Sequence, residues 1–563
     1  MLSVFRKDRI VAPPGFNRWK VPLASVAIHL CIGSVYAWSI FNPPLTKLRG
    51  IATSAADDWT LDEVVWVFTV AIVFLGLSAA VAGKWLERVG PRVVGTVSAV
   101  CWGGGFLVGG LAILTHQLWL LYLGYGVLGG CGLGLGYVSP VSTLIRWFPD
   151  RRGMAAGLAI MGFGGGAIIG SPLKQFLIES FYRPPVYLGT VEDVKPFTED
   201  GRRYAVVHSQ KHEIVVVVPG EVSRMIVPGN PGVYVVGTGD AGVAKTFFVL
   251  GAGYFVVMIL AAFSYRLPAA DWAPAGWTPP SAAETVRKMM STHHVAISEA
   301  TKTPQFYLLW IVLCFNVTAG IGVLGVAKDL MQDLFGTALP TVVTGTFATT
   351  FVLMISVFNM GGRFFWASMS DFLGRQRTYT IFFVLGIVLY LSIPFIASAG
   401  SRSPAVGWLV LFYAVTMVIF TMYGGGFATI PAYLADLFGT RFVGGIHGRL
   451  LTAWSTAGVI GPLAITQLRE MSRRSALRDL AAQAEPTGFA DKFGAGVDQL
   501  EALIAAKTVT IPKLMEVVPP GTPDPTSGLY DSTLFLMAAL LAIALVANLL
   551  VRPVDPRHYM TGS

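Results

Sequence analysis

The sequence predicts an all-α polytopic membrane protein with twelve transmembrane helices in two related six-helix halves. Three observations predict it. Charged residues make up 13% of the 563 and hydrophobic ones 54%, whereas a soluble domain carries about 25% charged residues. Apolar stretches of roughly 20 residues, enough to cross a bilayer, recur along the chain, and mean hydropathy is +0.62. Finally, three landmarks repeat in order at nearly one offset. Glu87 and Asp371, each three residues before a glycine, stand 284 apart; Pro140 and Pro431, each in a glycine-rich stretch, stand 291 apart; Pro172 and Pro462 stand 290 apart. Two such repeats around a central cavity are the architecture of a secondary transporter.

The spans are read at 21–43, 63–83, 93–115, 118–145, 153–178, 246–266, 305–327, 341–366, 378–399, 406–435, 443–467 and 532–551. Arg6, Lys7, Arg9, Arg18 and Lys20 precede the first, and it is long enough to stay in the bilayer rather than act as a cleaved leader. Basic loops (Lys84, Arg88, Arg92; Arg146, Arg151, Arg152; Arg375, Arg377) alternate with loops poor in Lys and Arg. By the positive-inside rule both termini are then cytoplasmic, and a bacterial inner membrane is expected. Residues 1–266 form the first half and 305–563 the second, joined by a Pro-rich cytoplasmic linker at 267–304 with a helical stretch near Ala282–Ala300. Two inserts, about 180–244 and 468–530, should face outward. Val206–Val207, Ile214–Val218 and Val233–Val236 read as short strands in the first, and the Ala- and charge-rich second reads as partly helical.

Other classes fit poorly. The net charge of +9 falls in short loops, where it sets topology rather than binding nucleic acid. Cys31, Cys101, Cys131 and Cys314 lie inside apolar spans with no CxxC or Cys/His spacing, so no disulfide framework, metal site or cofactor is expected. No nucleophile–base pair or phosphate loop points to an enzyme. A monomer in the lipid bilayer is expected.

Gly83-Lys-Trp-Leu-Glu87-Arg88-Val-Gly90-Pro-Arg92 has a physical logic. A small residue lets two helices touch, a carboxylate meets helix N-termini or a basic partner, and glycine turns the chain. Asp371-Phe-Leu-Gly374-Arg375 repeats it, with Ala367 replacing the first glycine. These residues are the expected conformational gate. The motif resembles the loop 2–3 signature of the major facilitator superfamily, and that resemblance implies the major facilitator fold.

A narrower resemblance covers nearly all of the chain except the inserts. It is carried by Gly33-Ser-Val-Tyr36-Ala-Trp38-Ser39, Trp147-Phe148-Pro149-Asp150-Arg151-Arg152-Gly153, Gly162-Phe163-Gly164, Gly276-Trp277-Thr-Pro279, Thr303-Pro304-Gln305-Phe306-Tyr307 and Tyr423-Gly-Gly-Gly-Phe-Ala-Thr-Ile-Pro431-Ala. Together these resemble the oxalate/formate antiporter family, within the monocarboxylate-type carriers. The resemblance implies carboxylate substrates, held by one basic residue on span eight and one on span eleven. Arg363, in Asn359-Met-Gly-Gly-Arg363, matches the first. Span eleven departs: the family pattern has a lysine after Gly-Ala, and this chain reads His447-Gly448-Arg449-Leu450. Arg449 either takes that place or lies one residue off. Oxalate needs two opposed cations, whereas a monocarboxylate needs one.

Embedded charges point the same way. Asp62 and Glu63 sit at an entrance, and no acid is read well inside a span, whereas Arg363 and Arg449 are. A charge within the bilayer faces a cavity and marks the substrate path, and a guanidinium matches a carboxylate with two parallel hydrogen bonds. Tyr36, Trp38, Tyr125, Tyr137, Tyr423 and Trp454 are candidates to complete the site with hydroxyls and ring edges. Asn316 and Asn359 are placed to hydrogen-bond between helices. His29 is either a packed core histidine or a proton carrier. The expected function is alternating-access transport of a small organic anion, either oxalate/formate or a monocarboxylate such as pyruvate or lactate, by exchange or proton symport. The alternatives are a transporter-like sensor of a small carboxylate, or a carrier of another solute class.

Overall fold

A computed structural model describes residues 5–560 apart from 200–201, 208, 218–221, 223–224, 270–271, 279–280, 282–284, 286–288, 292, 494–495, 506–508 and 510. The spans fold as α1 (Val21–Gly33, continued by a 3-10 turn Ser34–Ile40), α2 (Leu61–Val89), α3 (Pro91–Leu114), α4 (Leu118–Trp147, with a π-helical Tyr122–Gly129), α5 (Arg152–Phe181) and α6 (Val243–Ser264). The second set is α7 (Pro304–Phe335), α8 (Gly345–Leu373), α9 (Arg375–Arg402), α10 (Val406–Phe438), α11 and α12 (Asp531–Leu550). The protein is an integral membrane protein with an all-α major facilitator fold.

Eleven helices among the described residues are long and apolar enough to cross a membrane. The expected span eleven, at 443–467, is not one of them: it is two helices, α11a (Val443–Leu450) and α11b (Thr452–Gln483). The reason is its neighbours. Residues such as Ser455, Ala457 and Gly458 are buried against other helices rather than lipid, so this segment has no need of an apolar surface all round.

α1 packs on α5, α2 on α4, and α3 on α6; α8 packs on α10, α7 on α11b, and α9 on α12. The first six spans meet the last six where α2 lies along α11 and α5 along α8 and α10. Where the sequence suggested loops, α2 reaches Val89 and α3 starts at Pro91, with Gly90 between them at φ +87°. Gly374, at φ +89°, joins α8 to α9 in the same way. Only glycine adopts that backbone freely, so Glu87 and Asp371 sit on helix ends rather than in loops.

Both ends of the chain lie with the linker. Val11 bridges Leu267, and Val295 bridges Tyr559; this side is the terminal face. Of the helix expected near Ala282–Ala300, part lies outside the described residues, and Ile297–Ala300 is helical. The opposite, insert face carries β1 (Tyr187–Gly189), β2 (Phe197–Glu199), β3 (Arg202–Val207), β4 (Gln210–Val217) and β5 (Gly232–Val235) in an antiparallel sheet ordered β1-β5-β4-β3-β2. Val215, Val217, Met225 and Tyr234 pack with Ala52 of the α1–α2 connection, and Arg202 forks Asp57 there at 2.7 and 3.0 Å. The second insert continues α11b and adds the short helices Pro486–Phe493, Leu500–Ala505 and Ile511–Met515. Asp333 at the end of α7 anchors it, accepting from Arg469 at 2.6 Å and Tyr530 at 2.9 Å.

Candidate functional site

Gly33 ends α1 where α5 crosses it; a Cβ there would lie 2.2 Å from the Phe163 carbonyl oxygen. Beyond it the chain tightens into a 3-10 turn, with Ala37 outside helical geometry (φ −92°, ψ 24°). This break turns Tyr36 toward the centre of the molecule, edge-on to Phe163 at 5.1 Å and 6.3 Å from Trp454. Tyr137 stands 5.4 Å from Phe163 and 5.3 Å from Trp454, and Phe427 stands 4.8 Å from Trp454 and 5.3 Å from Tyr423. Rings from α1, α4, α5, α10 and α11b thus form a box at the junction of the two sets of spans.

Arg363 fills that box and is fully buried. Its Nε donates to Asn359 Oδ1 at 3.0 Å and its Nη1 to the Ile160 carbonyl at 3.4 Å. Its Cζ lies 5.1 Å from the Phe427 centroid and 5.9 Å from that of Phe163. Nη2 has no partner among the described residues, and neither do the hydroxyls of Tyr36, Tyr137 and Tyr423 or Nε1 of Trp454. The Tyr36 hydroxyl is within electrostatic reach of both Arg363 and Tyr423. The site therefore presents a buried guanidinium edge, phenol hydroxyls that can donate or accept, and an indole N–H that can only donate.

Arg363, Tyr36, Tyr137, Tyr423 and Trp454 are therefore brought together, and three other candidates are not. Arg449 is half-buried at the terminal face, where its Nη1 donates to the Ile297 carbonyl at 3.1 Å and to Thr301 Oγ1 at 3.2 Å. The break after Leu450 separates it from Trp454, and the linker carbonyl supplies the acceptor that a substrate was expected to supply. Trp38 and Tyr125 pack on each other at 4.4 Å, with Phe41, Phe106 and Phe247 around them, inside the first six spans. Trp38 follows the break at Ala37 and faces away from Tyr36. Asn359 bonds within its own helix, and Asn316 Nδ2 has no partner among the described residues, so the expected interhelical bonds are not seen among them.

Several of the residues expected to form the gate meet at the terminal face. Asp371 accepts from Gly153 N at 2.8 Å and Met154 N at 2.9 Å, the free N–H groups that open α5, and pairs with Arg375 at 2.7 Å. Arg375 also pairs with Asp436 at 2.8 Å, and Asp436 reaches across to Arg152 at 2.9 Å. Glu87 crosses less directly: it pairs with Arg146 of its own set of spans, and Arg146 donates to the Arg441 carbonyl at 3.0 Å. Gly83 lies against Gly445, where a Cβ would come within 2.4 Å of the Gly445 Cα. Gly90 and Gly374 make the tight turns. Arg88 is exposed. Arg92 serves a different contact, holding α3 to the end of α6 through the Phe263 carbonyl at 3.0 Å.

Sequence reasoning missed Phe163, Phe427, Arg152 and Asp436 as partners, because their roles depend on which helices meet. It also missed Lys174, inside the expected fifth span and fully buried. Lys174 Nζ donates to the Ser34 carbonyl at 2.6 Å, freed by the break in α1, and lies 4.8 Å over Phe41. A lysine within an apolar run was the available signal.

Residues 27–191 match the family described as Major Facilitator Superfamily. The chain is 25% identical over 451 residues to the oxalate:formate antiporter of Oxalobacter formigenes, covering 79% of this chain and 83% of that relative. It is 24% identical over 486 residues to apicoplast pyruvate carrier 1 of Toxoplasma gondii, covering 77% and 80%. Its fold is similar to that of the fucose:proton symporter FucP of E. coli, with a TM-score of 0.53 and 11% identity over 94% of this chain and 98% of that one. It also matches a bacterial homolog of the human lysosomal transporter Spinster, with a TM-score of 0.51 and 14% identity over 98% and 100%.

Proposed function

The chain belongs to the major facilitator superfamily and is a membrane transporter, and from that premise we propose that it carries a small organic anion by alternating access. Arg363 carries the reading: a fully buried cation whose Nη2 has no partner among the described residues, on the helix that packs against α5 across the two sets of spans. Keeping an arginine mid-membrane costs about 2.5–3.5 kcal/mol or more, and an anion arriving between the halves offsets that cost. The oxalate:formate antiporter and the pyruvate carrier among the relatives support a carboxylate. The diversion of Arg449 to the linker leaves one cation in the box and favours a single carboxylate head, as in formate, pyruvate or lactate. Both termini and the linker are taken to be cytoplasmic, with the sheet and the second insert outside. The structure then has its cytoplasmic side closed.

Counterflow of labelled pyruvate, lactate, formate and oxalate in proteoliposomes tests the proposal. Arg363→Gln removes a charged hydrogen-bond partner worth about 1.5–3 kcal/mol, so carboxylate affinity should fall by about ten- to a hundredfold. Arg363→Lys keeps the charge but loses the planar fork, and should fall between the two. Unchanged affinity in a well-inserted Arg363→Gln protein would place the anion elsewhere.

A further inference from the structure

We propose that Lys174 is a positioning residue of the anion site: its ammonium clamps the tightened turn that follows α1 and so aims Tyr36 into the box. The inference deepens the anion reading above and rests on it for the role of Tyr36. α5 meets α1 through a row of residues four apart. A Cβ at Gly162 would lie 2.9 Å from the Val26 carbonyl oxygen, one at Gly166 2.5 Å from the Gly33 carbonyl carbon, and one at Gly170 3.1 Å from the Ser34 Cβ. Residues at this spacing share one helix face, so the two helices touch over three successive turns of α5. Lys174 is the next position in the row. At that level the regular part of α1 has ended at Gly33 and the 3-10 turn Ser34–Ile40 has begun. The row changes from glycine to a long charged side chain where α1 stops being an α-helix.

Leucine or methionine would fill that space without taking a charge out of water. Lys174 is fully buried, seven residues before the end of α5 and so about 10 Å inside it, and no carboxylate acts on it among the described residues. An ionisable side chain at such a place is kept for what it does. Its compensation comes from two groups. Nζ donates to the Ser34 carbonyl at 2.6 Å and lies 4.8 Å from the centre of the Phe41 ring, a cation over an aromatic face. Ser34 is the first residue of the 3-10 turn, and Phe41 is the residue that caps it. One ammonium therefore bridges both ends of the segment that carries Tyr36. Ser34 is engaged from the far side as well: its hydroxyl donates to the Cys31 carbonyl at 2.8 Å, and the Tyr254 hydroxyl of α6 lies within hydrogen-bonding reach of it.

The clamped turn decides where two rings go. Ala37 leaves helical geometry; Tyr36, before it, meets Phe163 and Trp454, and Trp38, after it, packs on Tyr125. A 3-10 turn has poorer hydrogen-bond geometry than an α-helix and is held only in short pieces, so its shape needs an outside partner. If the segment relaxed into α-helix, each residue would turn by about 100° instead of about 120°. Over the two residues from Ser34 to Tyr36 the phenol would swing by about 40° around the axis. The Tyr36 hydroxyl now reaches both Arg363 and Tyr423, and such a swing carries it away from them. Lys174 touches no part of the box itself; it acts through Tyr36.

The test reads Tyr36 directly and then through transport, in the full-length protein. Fluorotyrosine introduced in place of Tyr36 reports the surroundings of that ring by its fluorine resonance in nanodiscs, with no substrate present. Lys174→Met fills the space without a donor and should shift or split the resonance. Lys174→Arg and Lys174→Gln keep an N–H donor, and at least one of them should bring it back toward the wild-type position. In proteoliposomes, Lys174→Met should raise the KM for labelled pyruvate in counterflow by about five- to tenfold, the worth of one hydrogen bond at the site. The saturating rate should stay within about twofold, whereas a merely structural role would lower that rate and leave KM alone. With Tyr36→Phe already in place, Lys174→Met should raise KM no further, because the two changes remove one interaction. An unmoved resonance in Lys174→Met overturns the proposal. Additive KM losses, or no recovery with either donor, do the same. So does failure of Lys174→Met to insert, which would make the lysine a folding residue. A resonance that moves and recovers as expected, in a protein without carboxylate counterflow, would leave the clamp standing and overturn the anion reading instead.

Discussion

Adding one methyl group at Gly83 should move the whole transporter. A Cβ there would lie 2.4 Å from Gly445 Cα and 2.8 Å from the Gly444 carbonyl oxygen. Ordinary carbon contacts begin at about 3.5 Å, so α2 and α11a must part by about 1 Å. Both obstacles are backbone, and no rotamer change relieves them. Overpacking of this kind costs about 1–3 kcal/mol. The cost falls on the state in which the terminal face is closed, because opening that face separates the two helices. The ratio of closed to open forms should therefore drop by about 5- to 150-fold in Gly83→Ala. Spin labels at Arg88 and Arg441, both exposed near the gate, report the separation of α2 from the start of α11a by pulsed dipolar spectroscopy in nanodiscs. The variant should shift the distribution to longer distances. Gly361→Ala, where a Cβ meets nothing within 4 Å, should not. An unchanged distribution in a folded Gly83→Ala protein would refute the idea that this contact holds the face shut.

Asp371→Asn should open the same face, because it weakens two backbone hydrogen bonds to the start of α5 and the Arg375 pair; charged bonds of this kind are worth about 1.5–3 kcal/mol each, and the same label pair reads the result. Arg449→Gln should leave anion affinity within about twofold, since its partners are Ile297 and Thr301 at the terminal face rather than the box and a change that touches no ligand contact perturbs binding by only a few tenths of a kcal/mol; a hundredfold loss in a binding titration would return it to the site. In the second insert, the hydrogen bond from Arg473 holds the Glu470 carboxyl at about 2, below the usual value of about 4.3. A depressed folded value stabilises fully above the unfolded value and is lost as pH falls through the folded one. Glu470→Gln should therefore lower thermal stability at neutral pH and make it less sensitive to acid between about pH 4.3 and 2; parallel acid profiles for the two proteins would count against the pairing.

Much was determined by the chain alone, because the bilayer imposes rules that act on sequence directly. An apolar run long enough to span must form a helix that satisfies its own backbone, so the spans and the repeat around Glu87 and Asp371 are legible without any partner. The resemblance carried by Tyr36, Arg363 and Tyr423 reached the transporter fold for the same reason: short-range motifs keep their spacing. Span eleven, read at 443–467 as one segment, folds as two helices, Val443–Leu450 and Thr452–Gln483. A helix buried between the two sets of spans faces protein rather than lipid, and Ser455 and Gly458 are chosen for close approach rather than for apolarity. Tertiary structure alone decided which side chains converge. Arg363 and Arg449 look alike as charges inside apolar runs, yet one enters an aromatic box and the other finds the carbonyl of Ile297 more than 150 residues away in sequence. Trp38 lies two residues from Tyr36, and the kink at Ala37 sends it to the opposite side. Glu87 and Asp371 occupy equivalent places in the repeat, but Asp371 meets the start of α5 directly while Glu87 acts through Arg146. Direction, unlike spacing, is set by how helices cross, and the crossings depend on glycine contacts such as Gly83 on Gly445 that join residues remote in sequence.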